Sequence, residues 1–472
     1  MVTILGGGIS GLAAAHYAVK FGIRAPKAIS LVEAAPEVGG WIKSTIRPDN
    51  TLYEHGPRTI RPKGEQGAAT LQLVEELGLS KKVKPIRYGH PATVNRLIYV
   101  NKQLYKLPSS LSSIFLKIKP FDKPLFLAAL RDLSTPKKSC VDESIYDFVA
   151  RRFGKDIAEY AISPLICGIC AGDAKEVSVK FLMKSLFEAE QSHGSVLKGM
   201  VAAMFRKEEK PPSMSTLVEV AREQKWNVWS LEGGLQLLPK TMAANLKDDG
   251  VTIHLNSPCK SVSFEHGRIT VKTNKDEIVS DHLISGLPAW QLAPLLSSQH
   301  PELSHLLSCI PFVTVGVVNL KFPRNVLREP AFGFLVPPSQ KMPILGIVYD
   351  SCCFPTAGDC TVLTVMMGGR FLNEHFGKNL LPQTALHTAI KHAKDILGIS
   401  VDPCDYNISI SEKCIPQYVV GHDERRKKIY DYIKKHKLPI SLVGSSYEGV
   451  GVNDVIMSSL KAVKRLSATL RS

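Results

Sequence analysis

The first eleven residues constrain the chain most. Val2-Thr3-Ile4-Leu5 reads as a short buried strand, Gly6-Gly7-Gly8-Ile9-Ser10-Gly11 has the spacing G-x-G-x-x-G, and Leu12-Ala13-Ala14-Ala15 opens a helix. Glycines let such a turn close tightly and let the backbone approach a pyrophosphate. The helix start adds free N–H groups and partial positive charge. A second strand, Ala28 to Val32, ends in Glu33, roughly 20 residues beyond the last glycine, where a carboxylate accepts hydrogen bonds from ribose hydroxyls. A 2′-phosphate would be repelled there. The pattern predicts a dinucleotide other than NADP.

The chain has 472 residues, 44% of them hydrophobic, enough for two or three domains. No apolar run is long enough for a membrane-spanning helix, and the longest, Ile310 to Leu320, reads as buried strand. The first strand starts at once, so no cleavable leader is expected ahead of it. The net charge of +16 favours acidic partners. No nucleic-acid-binding signature accompanies it, so nucleic acid is not expected. Cys167-Gly168-Ile169-Cys170 is the one C-x-x-C; with no second pair, no metal site is expected, and packing is the plain reading. Cys352 and Cys353 are read as a packing pair on a strand.

Further along, Leu71 to Leu79 reads as helix. Residues 90 to 210 look helical and basic, with leucine, isoleucine and phenylalanine alternating with lysine from Leu104 to Arg131. Such a segment suits either a membrane interface or an ordinary core helix. Lys207 to Pro212 reads as a surface loop. Short strands are expected at 313–320, 332–336, 345–349 and 361–367, with a helix at 383–397. Near the end, Ile440 to Gly444 reads as strand, a glycine-rich turn follows, and a helix is expected from Val455. That turn can aim backbone N–H groups at an anionic group.

The stretch Glu33 to Gly39-Gly40-Trp41, followed by Glu54-His55-Gly56-Pro57-Arg58, resembles FAD-dependent amine oxidases and desaturases, which separates FAD from NAD. Over its whole length the chain resembles the animal-type protoporphyrinogen IX oxidases of that superfamily. Gly56 to Pro62, Phe187 to Gln191, Gly346 to Ser351, Ile415 to Tyr418 and Ser446 to Val450 carry the likeness. The fold class it implies is α/β: a Rossmann-like FAD-binding domain (1–89, 226–290, 415–472), an inserted α+β substrate domain (208–225, 291–414) and a helical membrane-binding domain (90–207).

The resemblance further implies six-electron oxidation of protoporphyrinogen IX, with O2 reduced to H2O2, at the penultimate step of haem synthesis. It implies a peripheral seat on the mitochondrial inner membrane, facing the intermembrane space. The implied partners are the lipid surface, a second copy in a homodimer, and ferrochelatase. No catalytic acid or base is assigned, because hydride leaves for flavin N5. Arg58 is expected to meet a substrate propionate, while Gly168, Phe332, Leu335, Val348 and Met366 line the ring slot. In relatives arginine and phenylalanine stand where this chain has Cys167 and Cys170. For FAD the resemblance carries over Gly6, Gly7, Gly8, Ile9, Ser10, Gly11, Glu33, Ala34, Trp41, Gly56, Pro57, Arg58, Thr59, Cys259 (through its backbone), Ser445, Val450, Gly451 and Val452. Alternatives are a polyamine oxidase or carotenoid desaturase, a flavin-linked thiol oxidoreductase using Cys167 and Cys170, and a non-enzymatic scaffold.

Overall fold

A computed structural model describes residues 1–109, 112–205, 215–354 and 359–471. Five parallel strands form the first sheet, in the order Ile440–Leu442, His282–Ser285, Val2–Leu5, Ile29–Val32, Thr252–His254. Val2 lies between Ile29 and His282, and Leu283 pairs with Ile440. The chain thus leaves this sheet and returns to it three times. Helix Ile9–Lys20 carries Leu12-Ala13-Ala14-Ala15, all fully buried, and small side chains there let the C-terminal helix Val452–Arg471 pack close. Ser459 Oγ donates to the Ser10 carbonyl at 2.8 Å, joining the two chain ends.

A three-stranded antiparallel sheet, 259–280, flanks this core. Its hairpin turns at His266 and Gly267, both with positive φ, as a primed two-residue turn requires. Helices Ala289–Leu296 and Pro301–Ser308 bury Leu292, Leu296, Leu303 and Leu307 against it. Helix Thr216–Glu223 buries Leu217 and Val218 in the cofactor-side core. The structure therefore places 216–223 and 291–308 with the cofactor-side layers, where the sequence division had put them in the substrate domain. Their apolar stripes decide this, and sequence order does not show which core a stripe faces.

The second large sheet has seven strands: Asp405–Pro416, Phe312–Phe322, Thr361–Gly368, Ile344–Tyr349, Gly333–Leu335, Arg96–Val100 and Gln103–Lys106. Residues 96–106, expected in the helical segment, are thus the last two strands of this sheet, with Gln103–Lys106 at its edge. Pairing is what rescues them: Gly333 lies beside Arg96 in parallel register, and Leu97 pairs with Lys106. Strand side chains alternate between faces. One face (Val318, Leu320, Phe334, Ile347, Val365) packs under helix Pro382–Leu397. The other (Val317, Asn319, Leu335, Val348, Thr364, Met366) turns toward the cofactor-side layers.

Helices between 126 and 205 form a separate small core around Phe148, Ile166 and Phe187. Arg152 is fully buried there. Its Nε donates to Asp132 at 2.5 Å, and Nη1 to Glu190 at 3.0 Å. Other local expectations shift slightly. The helix expected over Leu71–Leu79 runs over Gly64–Glu76, starting and ending earlier, with Gly78 at φ +72° just beyond it. Cys352 and Cys353 sit in a helical turn, Asp350–Cys353, not a strand. The C-terminal helix begins at Val452 rather than Val455. The surface loop expected at 207–212 lies outside the described residues. No helix among the described residues is long and apolar enough to cross a membrane.

Candidate functional site

The glycine turn has the close contacts its spacing promises. A Cβ on Gly11 would come 1.9 Å from the Gly6 carbonyl oxygen, and one on Gly7 would come 2.9 Å from Glu33 Cβ. Gly8 and Gly40 face each other, and a Cβ on Gly40 would meet Gly8 Cα at 3.3 Å. The Gly39 N–H donates to the Gly7 carbonyl at 2.9 Å. Helix Ile9–Lys20 starts with no side-chain cap and no acidic residue, so its first N–H groups are available to an anion.

Glu33 accepts from the Gly7 N–H at 2.5 Å and the Ala35 N–H at 2.7 Å. Each oxygen keeps a lone pair for a ribose hydroxyl. Loop residues 256–257 bond back to Glu33 and Ala35, which brings the start of the Cys259 strand beside Ala34. Burial pushes the Cys259 thiol up to about 11, which suits a contact made through its backbone.

Trp41 lies between Gly40 and the Gly56 loop; a Cβ on Gly56 would sit 2.8 Å from the Trp41 carbonyl oxygen. Gly56, Pro57, Arg58 and Thr59 precede Ile60, which is bridged to Trp229. From the other end of the chain, Asn453 Nδ2 donates to the Arg61 carbonyl at 2.8 Å. Ser445 gives its carbonyl to the Tyr418 hydroxyl, and Val450 packs on the helical segment. The Gly451 N–H is already taken by Asp454 Oδ2 at 3.2 Å, while Val452 packs on the cofactor-side core. Ile9, Ser10 and the glycines from one end therefore share one cradle with Ser445 to Val452 from the other. The cradle fits a dinucleotide: positions that a side chain would fill are glycine, and uncapped N–H groups stand where phosphate charge would lie.

The slot residues come together on the sheet face turned to this cradle. Leu335 pairs with Gly346, Gly346 with Met366, and Val348 with Gly333 and Thr364. Gly168, at the end of helix Ser163–Cys170, touches Leu335: a Cβ added there would meet its Cδ2 at 3.0 Å. Phe332 stands just before this strand, half-buried. The helical segment thus closes the slot opposite the sheet. Cys167 and Cys170 are buried behind Gly168 and donate to the carbonyls of Gly172 and Ile166. Burial raises both thiols, Cys170 to about 11, which favours packing over redox work.

Arg58 does not stand free as the expected propionate cation. Its Nη1 pairs with Asp350 Oδ1 at 3.3 Å, and the side chain is only 11% exposed. Arg96 is a cation on the slot-side strands that the sequence reading did not single out. It is exposed, lies beside Gly333, and pairs with no carboxylate among the described residues. The sequence places its strand in the helical segment, so no local pattern puts it beside Gly333.

The chain belongs to the flavin-containing amine oxidoreductase family, whose profile matches residues 9–467. It is an oxidoreductase with FAD as cofactor. Over 99% of its length it is 40% identical to protoporphyrinogen oxidase of Bos taurus and 39% identical to that of Homo sapiens, covering 98% of each. A solved putative protoporphyrinogen oxidase from Exiguobacterium has the same fold (TM-score 0.80, 22% identity, 99% of this chain and 98% of that one covered).

Proposed function

We propose that this chain oxidises protoporphyrinogen IX to protoporphyrin IX and passes the electrons to O2, yielding H2O2. One observation carries the reading: Leu335, Val348 and Met366 share an apolar sheet face, turned to the dinucleotide cradle, with Arg96, which pairs with no carboxylate among the described residues. A tetrapyrrole has that polarity, a flat apolar ring with carboxylate tails. The full-length likeness to protoporphyrinogen oxidases supports the same substrate. Bound FAD supplies the hydride-accepting and O2-reducing chemistry. The chain orients the ring: it lies along the sheet face of Leu335, Val348 and Met366, Gly168 borders it, and Arg96 holds a propionate through charge-assisted hydrogen bonds.

The outer face of the helical segment fits a membrane interface. Leu127, Leu130 and Leu133 on one helix, and Met200, Val201, Met204 and Phe205 on a neighbouring one, are all exposed, Met204 and Phe205 by more than four-fifths. Phe115 and Leu116 extend the patch, beside exposed Lys117, Lys119, Lys123 and Lys198. Apolar side chains among lysines suit an anionic bilayer surface. We place the protein, on this basis and on the family likeness, peripherally on the inner mitochondrial membrane toward the intermembrane space. Likeness alone supports a homodimer that passes porphyrin to ferrochelatase.

The test is aerobic incubation of the FAD-loaded protein with protoporphyrinogen IX, following porphyrin fluorescence and peroxide together. Fluorescence should rise with three peroxides per porphyrin. Flavin that stays oxidised under anaerobic substrate would reject the substrate assignment.

A further inference from the structure

Two carboxylates and one guanidinium are packed where the cofactor-side loop meets the seven-stranded sheet. Arg58 comes from the loop after strand Leu52–Glu54, and Asp350 from the end of strand Ile344–Tyr349. Asp350 uses one oxygen for Arg58 and the other for the Thr364 hydroxyl. Asn319, itself 1% exposed, donates to Thr364 Oγ1 at 2.7 Å and to the Glu54 carbonyl at 3.2 Å. The Glu54 carboxylate accepts from Ser44 Oγ at 2.6 Å and the Leu235 N–H at 2.7 Å. Glu54, Arg58, Ser230 and Asp350 surround a cavity of about 30 Å³, large enough for a water molecule.

The chain of bonds is continuous from the cofactor-side loop to the sheet. Thr364 shares a strand face with Met366, and Asp350 follows Val348 by two residues. The network therefore abuts the slot. An arginine needs a counter-ion when it is this enclosed, and Asp350 is the carboxylate in direct contact with it. Burial pushes both acids up, Glu54 to about 7, although Arg58 pulls each of them down. The remaining N–H donors of Arg58 have no acceptor among the described residues.

We propose that Asp350 is a positioning residue for the oxidation: it fixes the orientation and charge balance of Arg58, and through Thr364 and Asn319 it couples the cofactor-side loop to the sheet face that carries Leu335, Val348 and Met366. This rests on the slot assigned above, though not on which substrate fills it.

The test uses the FAD-loaded protein with Asp350→Asn, which keeps the shape and removes the charge. Three quantities are read: bound-flavin absorbance, flavin midpoint potential measured against a redox dye, and kcat and KM with protoporphyrinogen IX. Flavin should stay bound. The potential should rise, because an uncompensated guanidinium favours the anionic reduced flavin. kcat should fall about tenfold while KM moves by less than about threefold, since the loss is one of alignment. The double variant Arg58→Met/Asp350→Asn should return the potential toward wild type but leave kcat low.

A wild-type potential and kcat in Asp350→Asn would overturn the proposal, as would a potential shift that the double variant fails to reverse. Loss of flavin would also overturn it, making the residue a structural prop. Should Asp350→Asn not fold, Thr364→Val loosens the same carboxylate, and an unchanged potential and kcat there would overturn it equally. The dye titration needs no substrate. A wild-type enzyme inert toward protoporphyrinogen would therefore reject the substrate reading while the potential still tests Asp350.

Discussion

At Gly11 an added methyl would lie 1.9 Å from the Gly6 carbonyl oxygen, while Gly168 would have to displace only the tip of Leu335. The two regions differ in what their neighbours can do. At Gly11 the contact is backbone on backbone, held by the parallel sheet, and cannot give. At Gly168 the contact is with a leucine side chain alone, and its rotamer can adjust. A cofactor retained through every turnover suits the rigid region; a ring that enters puckered and leaves flat suits the adjustable one.

The sharpest way to break this contrast is Gly11→Ala. It should cost about 3 kcal/mol or more at the turn and abolish flavin binding, read as loss of the visible absorbance. Gly168→Ala should keep full flavin and change mainly KM. Equal flavin loss in both variants would erase the distinction.

Next in size is Arg152→Met, in the helical segment. It strips buried Asp132 of its arginine and leaves buried Glu190 with Arg151 alone, and should cost about 3–5 kcal/mol, seen as a lowered Tm. The pH dependence has a definite sign there. Burial raises both acids, but the bonds each receives, including those from Arg151 and Arg152, outweigh it and leave both below the usual carboxylate range. Their stabilisation is present above the unfolded pKa and is lost as pH falls through the lowered one. The helical segment should therefore open first in acid, detectable by hydrogen exchange.

Arg96→Ala and Arg58→Ala sharpen the slot itself. An unpaired cation meeting a propionate is worth about 1.5–3 kcal/mol, so Arg96→Ala should raise KM roughly 10- to 100-fold with flavin unchanged. Arg58→Ala should alter the flavin potential and kcat more than KM. The reverse pattern would return the propionate contact to Arg58.

The last effect concerns Glu54 and is confined to a pH window. Its folded pKa is raised to about 7, so its contribution is fully present below the unfolded value near 4.5 and is lost as pH rises through 7. Glu54→Gln should flatten the stability profile between those limits by up to about 3 kcal/mol, opposite in sign to the Asp132–Glu190 effect.

Much of the cradle was legible because its geometry is local. Strand, glycine turn, helix and Glu33 lie within one βαβ unit, and Gly7 and Gly11 answer steric demands made inside it, by Glu33 and by the Gly6 carbonyl. Leu335, Val348 and Met366 were readable only through family likeness; their alternation says they share a face, not which face. Arg96 was hidden because Arg96–Val100 is a strand only by virtue of pairing with Gly333–Leu335. The Arg58–Asp350 pair joins residues 292 positions apart. No local pattern announces such a contact, and the cost of leaving either charge alone appears only once both are buried.

What the sequence determined by itself is the dinucleotide turn, the ribose carboxylate and the alternation of the later strands, since short-range sterics and side-chain periodicity act wherever those residues occur. Tertiary structure alone decided that residues 96–106 are sheet, that Arg58 is neutralised and Arg96 is not, and that the apolar helices 126–134 and 196–205 face outward. Hydrogen-bond pairing and charge burial depend on which distant segments meet, and only the folded chain fixes that.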